Sequence, residues 1–398
     1  METQANTDPA KIEELLTRGV EEIFVKEHLK SELLNGKSLR IKLGIDPTSP
    51  AIHLGRAIPL RKLKAFQDLG HVIVLIIGDY TARIADPSDK LEKRPMLSKE
   101  EIQDNLKGYL EQIGKIIDLS KTEVRYNAEW FDNMNWIELG KLLESFTVQQ
   151  MSRRRNFKER LEKGEDVFVV EFMYPAFQGY DSVMIKSDVE IGGFDQLFNL
   201  QAGRTVQKKY GQKEQDIMTL SMLVGTDGRK MSSSWGNVIS LLDTADDMFG
   251  KVMAIKDDLM ISYFTLCTDM SLQDISGLED QLKSGANPKN IKTQLAHEIV
   301  RIYHGEDAAV EAQKSFENTF SKGGIPENIT VIEAKSDEML SDILVVHKII
   351  ESKTDFKRLV EEGAVSNMDT SEKISDFKQG ALAGTYKIGK RRFVKIVN

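Results

Sequence analysis

Short apolar runs alternate with amphipathic stretches through the first half of the chain. The run "LRIKLGID" (39–46) predicts a strand. "LRKLKAFQDLG" (60–70) carries Leu60, Leu63, Phe66 and Leu69 on one side and stops at Gly70, which predicts a helix. "HVIVLIIGDY" (71–80) is continuously apolar and β-branched, the pattern of a strand covered on both faces. Further strands are expected in 122–130, 188–193 and 215–224, with helical segments between them. Alternation of this kind implies a parallel sheet with helices on both sides, which binds ligands at the carboxyl ends of its strands. From Asp243 to about Ser321 the pattern is helical. "SKGGIPENIT" (321–330) is a Gly/Pro break and reads as a linker. The remainder, from Val331, reads as a small unit of two helical segments and short terminal strands. Three domains are therefore expected: an α/β unit over 1–240, a helical one over 241–325, and a small α+β one over 331–398.

Composition narrows this picture little. The 398 residues are 40% hydrophobic and 29% charged, an ordinary balance for a soluble globular protein. No apolar run is long enough for a membrane span. The N-terminal stretch through Phe24 is acidic and amphipathic, unlike a signal peptide. One cysteine, Cys267, allows no internal disulfide and no cysteine-based zinc site. The six histidines show no metal-ligand spacing, so no metal site is expected. A cytoplasmic location fits these features. The net charge of −8 hides one local exception. After Asp376 there is no acidic residue, while Lys378, Lys387, Lys390, Arg391, Arg392 and Lys395 all follow. That stretch is either a solvated basic tail or a nucleic-acid contact.

Two motif-like stretches are false leads. "NGKS" (35–38) has Ser31 where a P-loop needs glycine and precedes a strand instead of a helix. "NIT" at Asn328 fits a glycosylation sequon without a secretory context. "IDPTSPAIHLGRAIPL" (45–60) carries more. It joins the end of a strand to a helix beginning near Leu54, whose free N–H groups and positive dipole end would face a ligand. Gly55 would let a flat base approach the backbone, and His53 could donate to a phosphate. An ordinary strand–turn–helix with an exposed histidine explains the stretch equally well. Downstream, "TDGRKMSSSWGN" (226–237) surrounds Lys230 with small polar residues, as suits either a phosphate-covering loop or a surface turn.

Taken together, "HLGR" and "KMSSS" resemble the paired signature motifs of the class I aminoacyl-tRNA synthetases. "KLGIDPTSP" (42–50), "GDYTARIADPSDK" (78–90), "YPAFQGYD" (174–181) and "IGGFDQLFN" (191–199) resemble the tyrosyl branch of that family. "FKRLVEEGAVSN" with "YKIGKRRFVKIVN" resembles an S4-type RNA-binding module. The resemblance implies a Rossmann-like catalytic domain, a helical anticodon-side domain and an S4-like domain. It implies activation of L-tyrosine by ATP, with Mg2+, followed by transfer to tRNA(Tyr).

The resemblance also assigns roles. Thr48 and His53 would stabilise the leaving pyrophosphate, and Gly55 would lie under adenine. Lys230, with Met231 and Ser232, Ser233 and Ser234, would close over the phosphates. Lys90 and Arg94 would assist from a second loop. Asp195 would hold the ribose, and Asp46 and Gln196 would line the reacting end of the amino acid. Asp86, Tyr174 and Gln178 would hold its amino group, and Asp181 would accept the phenol hydrogen bond. Tyr174, Gln178 and Asp181 fall at i, i+4 and i+7, one face of a helix whose first turn would hold Pro175. Lys387, Lys390, Arg391 and Arg392 would meet RNA. A homodimer is implied, with 135–151 contributing. Arg153, Arg154 and Arg155 could touch tRNA or form a solvated helix face.

The sequence departs from the family pattern in places. Lys42 stands where tyrosine is common, as a second group near the phenol. Arg56 replaces the last histidine of its motif, and Ser233 replaces a lysine. Phe194 and Ala85 replace a common threonine and glycine. A tryptophan-specific relative, or a synthetase-like RNA-binding protein that has lost catalysis, are the competing readings.

Overall fold

A computed structural model describes residues 4–84, 86, 97–321, 329–334, 338–370, 372–389 and 392–397. The chain forms two compact units, 1–306 and 307–398. The first is organised on a six-stranded sheet: β1 (Val20–Phe24), β2 (Arg40–Ile45), β3 (Val72–Ile77), β4 (Thr122–Tyr126), β5 (Val189–Gly193) and β6 (Asp216–Leu220). Their order is β1-β6-β5-β2-β3-β4. All neighbours are parallel except β1, which runs antiparallel along β6. β3, a continuous apolar run, and β6, which carries Asp216 and Thr219 among apolar residues, are almost wholly buried, as strands covered on both faces must be.

From β2 the chain builds outward through β3 to β4, and from β5 it builds the other way, to β6. The order therefore reverses between β2 and β5, where a crevice opens at the carboxyl ends of the strands. Asp46 follows β2, Gly78 follows β3, Asp195 follows β5 and Ser221 follows β6, so four strand ends meet in one place and three of them bring polar side chains.

Two local expectations are corrected, and one strand was not expected. The N-terminal stretch is helical over Pro9–Thr17, and Val20–Phe24 is an edge strand. This strand is mostly exposed, so no apolar run marks it. The 122–130 segment is strand only to Tyr126 and then turns into a helix, Ala128–Phe131. The helix bearing Tyr174 spans Val169–Ile185, so Pro175 lies in its interior and not in its first turn. Glu171 starts this helix by accepting from the Phe168 N–H at 2.8 Å, and buried Arg160 holds the same carboxylate at 2.6 and 3.0 Å.

Helices Ala245–Met253, Met260–Cys267, Leu272–Lys283 and Pro288–His304 follow the sheet. Cys267 is buried among them, and burial pushes its thiol up to about 12, which leaves it inert. In the second unit, β7 (Thr330–Glu333), β8 (Val365–Asn367), β9 (Glu372–Lys373), β10 (Gly384–Ile388) and β11 (Arg392–Val397) form a sheet ordered β7-β11-β10-β8-β9. Helices Leu340–Val346 and Lys353–Glu361 share its core, in which Leu344, Phe356, Tyr386 and Val394 are buried. Most of the 321–330 linker and Asn328 lie outside the described residues.

Candidate active site

A cavity of about 460 Å³ sits at the carboxyl ends of β2, β3, β5 and β6. It gathers Asp46, Thr48, His53, Gly55, Arg56, Asp86, Tyr174, Gln178, Asp181, Asp195, Gln196, Lys230, Met231, Ser232 and Ser233, residues that sequence reasoning drew from five separate stretches. Ser234 is in the adjoining short turn Ser233–Trp235. Lys90 and Arg94 lie outside the described residues.

One end of the cavity is a closed hydrogen-bonded lattice. Asp181 is 3% exposed. Its Oδ1 accepts from Trp130 Nε1 at 2.9 Å, and its Oδ2 is 3.4 Å from Asn127 Nδ2. Burial raises its carboxyl to about 7, against the opposing pull of Lys42 and the donors Trp130 and Asn127, while Glu190 pushes it further up. The Tyr174 hydroxyl donates to Asp46 Oδ2 at 2.8 Å, and Thr81 donates to Asp46 Oδ1 at 2.7 Å. Burial, with Asp46 alongside, raises the Tyr174 phenol well above its usual range, so it stays protonated and can donate. Gly78 makes room for this pair. A Cβ there would fall 1.9 Å from Asp46 Oδ1 and 2.4 Å from Thr81 Oγ1. Gln196 donates to Asp86 Oδ2 at 2.8 Å, and Asn199 approaches the other oxygen at 3.4 Å.

Lys42 is corrected in position. It is fully buried, lies behind the wall of the cavity and is not among the lining residues. Its ammonium donates to the Gln178 carbonyl at 2.7 Å and Ser182 Oγ at 2.8 Å, and pairs with Glu190 at 2.9 Å. All three ammonium donors are thereby used. Arg154 is also corrected: it is 8% exposed, lies over the rings of Phe157 and Phe198, and donates to Asn199 Oδ1 at 3.2 Å. It supports the Asp86 corner and is no part of a solvated helix face. Arg153 is exposed.

The other end is built on the helix Leu54–Asp68, whose N-cap is His53. The N–H groups expected to be free here have partners. Leu54 donates to the Ile239 carbonyl at 2.9 Å, and Gly55 donates to Met231 Sδ at 3.4 Å. The helix start is thus stitched to the segment following the Lys230 turn, although a thioether is a weak acceptor that a ligand can displace. His53 is 7% exposed. Burial, reinforced by the nearby positive charges of Arg56 and Lys230, lowers its imidazole to about 3. At neutral pH it is an uncharged ring with one N–H to donate. Arg56 reaches Thr48 Oγ1 at 2.9 Å and Ser49 Oγ at 3.4 Å, so the guanidinium braces the turn carrying Thr48. Lys230 Nζ is 2.7 Å from Asp195 Oδ2, a half-exposed pair in which two expected nucleotide groups satisfy each other.

In the second unit, Lys387 lies on β10 with its ammonium 5.7 Å from the Phe393 ring. Arg392 donates to the Ile349 carbonyl at 2.7 Å, which ties part of its guanidinium to its own unit. Lys390 and Arg391 lie outside the described residues. Sequence reasoning missed Thr81, Asn127, Trp130, Glu190 and Asn199. Glu190 alone carried a signal, as an acidic residue within an otherwise apolar strand that faces Lys42 in an equally apolar one.

A doubly wound parallel sheet with this crevice and its two flanking motifs defines the class. The family of class I tRNA synthetases for tryptophan and tyrosine matches residues 34–321, and the chain belongs to it. Within that family it is 44% identical to the tyrosine–tRNA ligase of Thermotoga maritima, the match covering 98% of each chain. It is also 44% identical to the tyrosine–tRNA ligase of Dehalococcoides mccartyi, over 98% of this chain and 100% of that one. The fold resembles a C-terminally truncated mitochondrial tyrosyl-tRNA synthetase of Aspergillus nidulans, with a TM-score of 0.65 and 21% identity, covering 78% of this chain and 94% of that one.

Proposed function

We infer that the protein is a tyrosine–tRNA ligase, which joins L-tyrosine to ATP as tyrosyl-adenylate, releases pyrophosphate, and passes tyrosine to the 3′ end of tRNA(Tyr). The observation that carries this reading is the buried Asp181 carboxylate at the floor of the cavity, 2.9 Å from Trp130 Nε1. A phenol hydroxyl gives that carboxylate a further donor, whereas phenylalanine leaves it facing a ring edge. Desolvation of this kind supports discrimination of about 10⁴–10⁵. The curated relatives named above carry the tyrosine name, and nothing in the cavity favours tryptophan.

The residue roles follow from chemistry. The substrate ammonium is held by Asp86, Tyr174 and Gln178, and Asp46 and Gln196 line its carboxylate end. That carboxylate attacks the α-phosphorus of ATP as the bond to pyrophosphate breaks. Thr48, braced by Arg56, and the neutral His53 N–H donate to the phosphate oxygens as their charge grows. When ATP enters, Asp195 exchanges Lys230 for the ribose hydroxyls, which releases the ammonium toward the phosphates. Met231, Ser232, Ser233 and Ser234 close beside Lys230, Gly55 lies under adenine, and Lys90 and Arg94 join from the second loop. Positioning and charge stabilisation supply the rate, with no covalent enzyme intermediate. Among the described residues no three His, Cys, Asp or Glu side chains converge as metal ligands, so Mg2+ would arrive on the nucleotide phosphates.

The catalytic segment is assigned to 1–240, the anticodon-side helices to 241–325 and the S4-like module to 331–398. Lys387, Lys390, Arg391 and Arg392 are assigned to RNA phosphates, contacts that weaken with salt. A homodimer is supported by Trp136, Ile137 and Val148, which are 86%, 71% and 69% exposed within 135–151 and suit a self-complementary apolar interface. A cytoplasmic location fits the reaction, and no helix of the described residues is long and apolar enough to cross a membrane. Amino-acid-dependent exchange of pyrophosphate into ATP tests the activity: exchange with tyrosine alone is expected, and exchange with tryptophan, or with no amino acid, overturns it.

A further inference from the structure

Lys42 and Glu190 are direct cross-strand partners on β2 and β5, the two strands at which the sheet order reverses. Both are 0% exposed, and their ion pair measures 2.9 Å. Neither lines the cavity, yet apart from Gln215 their hydrogen-bond partners, Gln178 and Ser182, lie on the helix that does. Lys42 holds the backbone carbonyl of Gln178 and the hydroxyl of Ser182. Glu190 Oε1 accepts from Gln178 Nε2 at 3.0 Å. Glu190 Oε2 accepts from Ser182 Oγ at 3.2 Å and from Gln215 Nε2. Gly203 leaves space for the knot, since a Cβ there would meet Gln215 Nε2 at 2.3 Å and Glu190 Oε2 at 3.0 Å.

A carboxylate only accepts hydrogen bonds, so it decides which way the Gln178 amide points. With the NH2 group committed to Glu190, the amide oxygen is the end left to face the cavity. An ammonium only donates, and an amide turned the other way would oppose it with two N–H donors. We propose that the Lys42–Glu190 pair is a positioning device that locks the Gln178 amide with its oxygen toward the substrate, selecting ligands that carry an α-ammonium group. Lys42 makes the buried carboxylate tolerable and fixes the same helix turn through the Gln178 carbonyl. The pair therefore acts through Gln178 and touches no substrate atom. This inference rests on the tyrosine-ligase reading of the cavity.

The test compares L-tyrosine with desaminotyrosine, in which hydrogen replaces the ammonium group, as competing ligands of the full-length enzyme. Glu190→Gln keeps the shape but can donate to Gln178, letting the amide turn over. The preference for L-tyrosine over desaminotyrosine is expected to fall about tenfold or more. KM for tyrosine should rise while KM for ATP and kcat change little, and Glu190→Asp should restore part of the preference. If Glu190→Gln fails to fold, Gly203→Ala, which displaces the knot without removing a polar group, reads the same ratio. A preference unchanged from the wild type in whichever variant folds overturns the proposal. Wild-type protein that supports no tyrosine-dependent exchange would instead overturn the functional reading beneath it.

Discussion

The two ends of the cavity are built on opposite principles. At the tyrosine end the groups that face the ligand are buried or half-buried and already bonded to protein: Asp181 to Trp130, Tyr174 to Asp46, Gln178 to Glu190. Nothing there has to reorganise before a phenol can be judged against a phenyl ring. At the nucleotide end the bonds are provisional. Lys230 and Asp195 are 37% and 23% exposed along their side chains and hold each other, and the Gly55 N–H rests on a thioether. A ligand entering that end replaces contacts, whereas one entering the tyrosine end completes them. Preorganised polar groups discriminate because a wrong ligand leaves them unsatisfied, while exchangeable charges suit a step in which phosphate charge grows and departs.

That contrast can be broken at either end. The largest effect is expected from Asp181→Asn. The amide can still accept from Trp130 but offers N–H where the phenol needs an acceptor. Steady-state kinetics should give a loss of about 10³-fold in kcat/KM for tyrosine, with little change for phenylalanine, so their ratio collapses. Lys230→Ala should slow adenylate formation about 10²–10³-fold in a single-turnover measurement and leave tyrosine binding unchanged.

A pH profile separates the ends more gently. Asp181 faces Lys42 on β2, Glu190 on β5, Trp130 on the helix Ala128–Phe131 with Asn127 just before it, and Tyr174 on its own helix. With its carboxyl raised to about 7, the folded protein holds a proton that the unfolded chain releases near the ordinary carboxyl value of about 4. Stability contributed by that proton is therefore present at low pH and lost as pH rises across this window. Acceptance of the phenol moves the other way. kcat/KM for tyrosine should fall toward tenfold per pH unit below about 7 and level off above it, and Asp181→Asn should flatten the slope. His53, lowered to about 3, adds no inflection between pH 5 and 8.

The sequence made the nucleotide end the easier one to find, for a physical reason. Groups that meet phosphate and ribose sit in contiguous turns, so His53, Gly55, Lys230 and Asp195 come with local motifs. The sheet was legible as well, because β3 is an unbroken apolar run and further strand-like runs alternate with helical stretches around it. β1 was not, because an exposed edge strand has no apolar face to display. The support of the tyrosine end is assembled from single residues on β2, β5 and three helices. Thr81, Asn127 and Trp130 look like ordinary turn and core residues until the fold brings them to Asp46 and Asp181. Lys42 was noticed but taken for a ligand. Only its register against Glu190 reveals a buried counter-ion, and strand register is not written in either strand alone. Arg56, noted in the sequence only as replacing the last histidine of its motif, gains from the fold a second part as the brace of Thr48.

Selection and phosphate chemistry are thus carried by separate ends of one cavity. The most direct measurement is the ratio of kcat/KM for tyrosine over phenylalanine in pyrophosphate exchange, taken for the wild type, Lys230→Ala and Asp181→Asn. A large ratio is expected, which Lys230→Ala leaves intact although both rates fall, and which Asp181→Asn lowers about 10³-fold. A ratio that collapses in Lys230→Ala, or is unchanged in Asp181→Asn, would contradict the separation of the two ends.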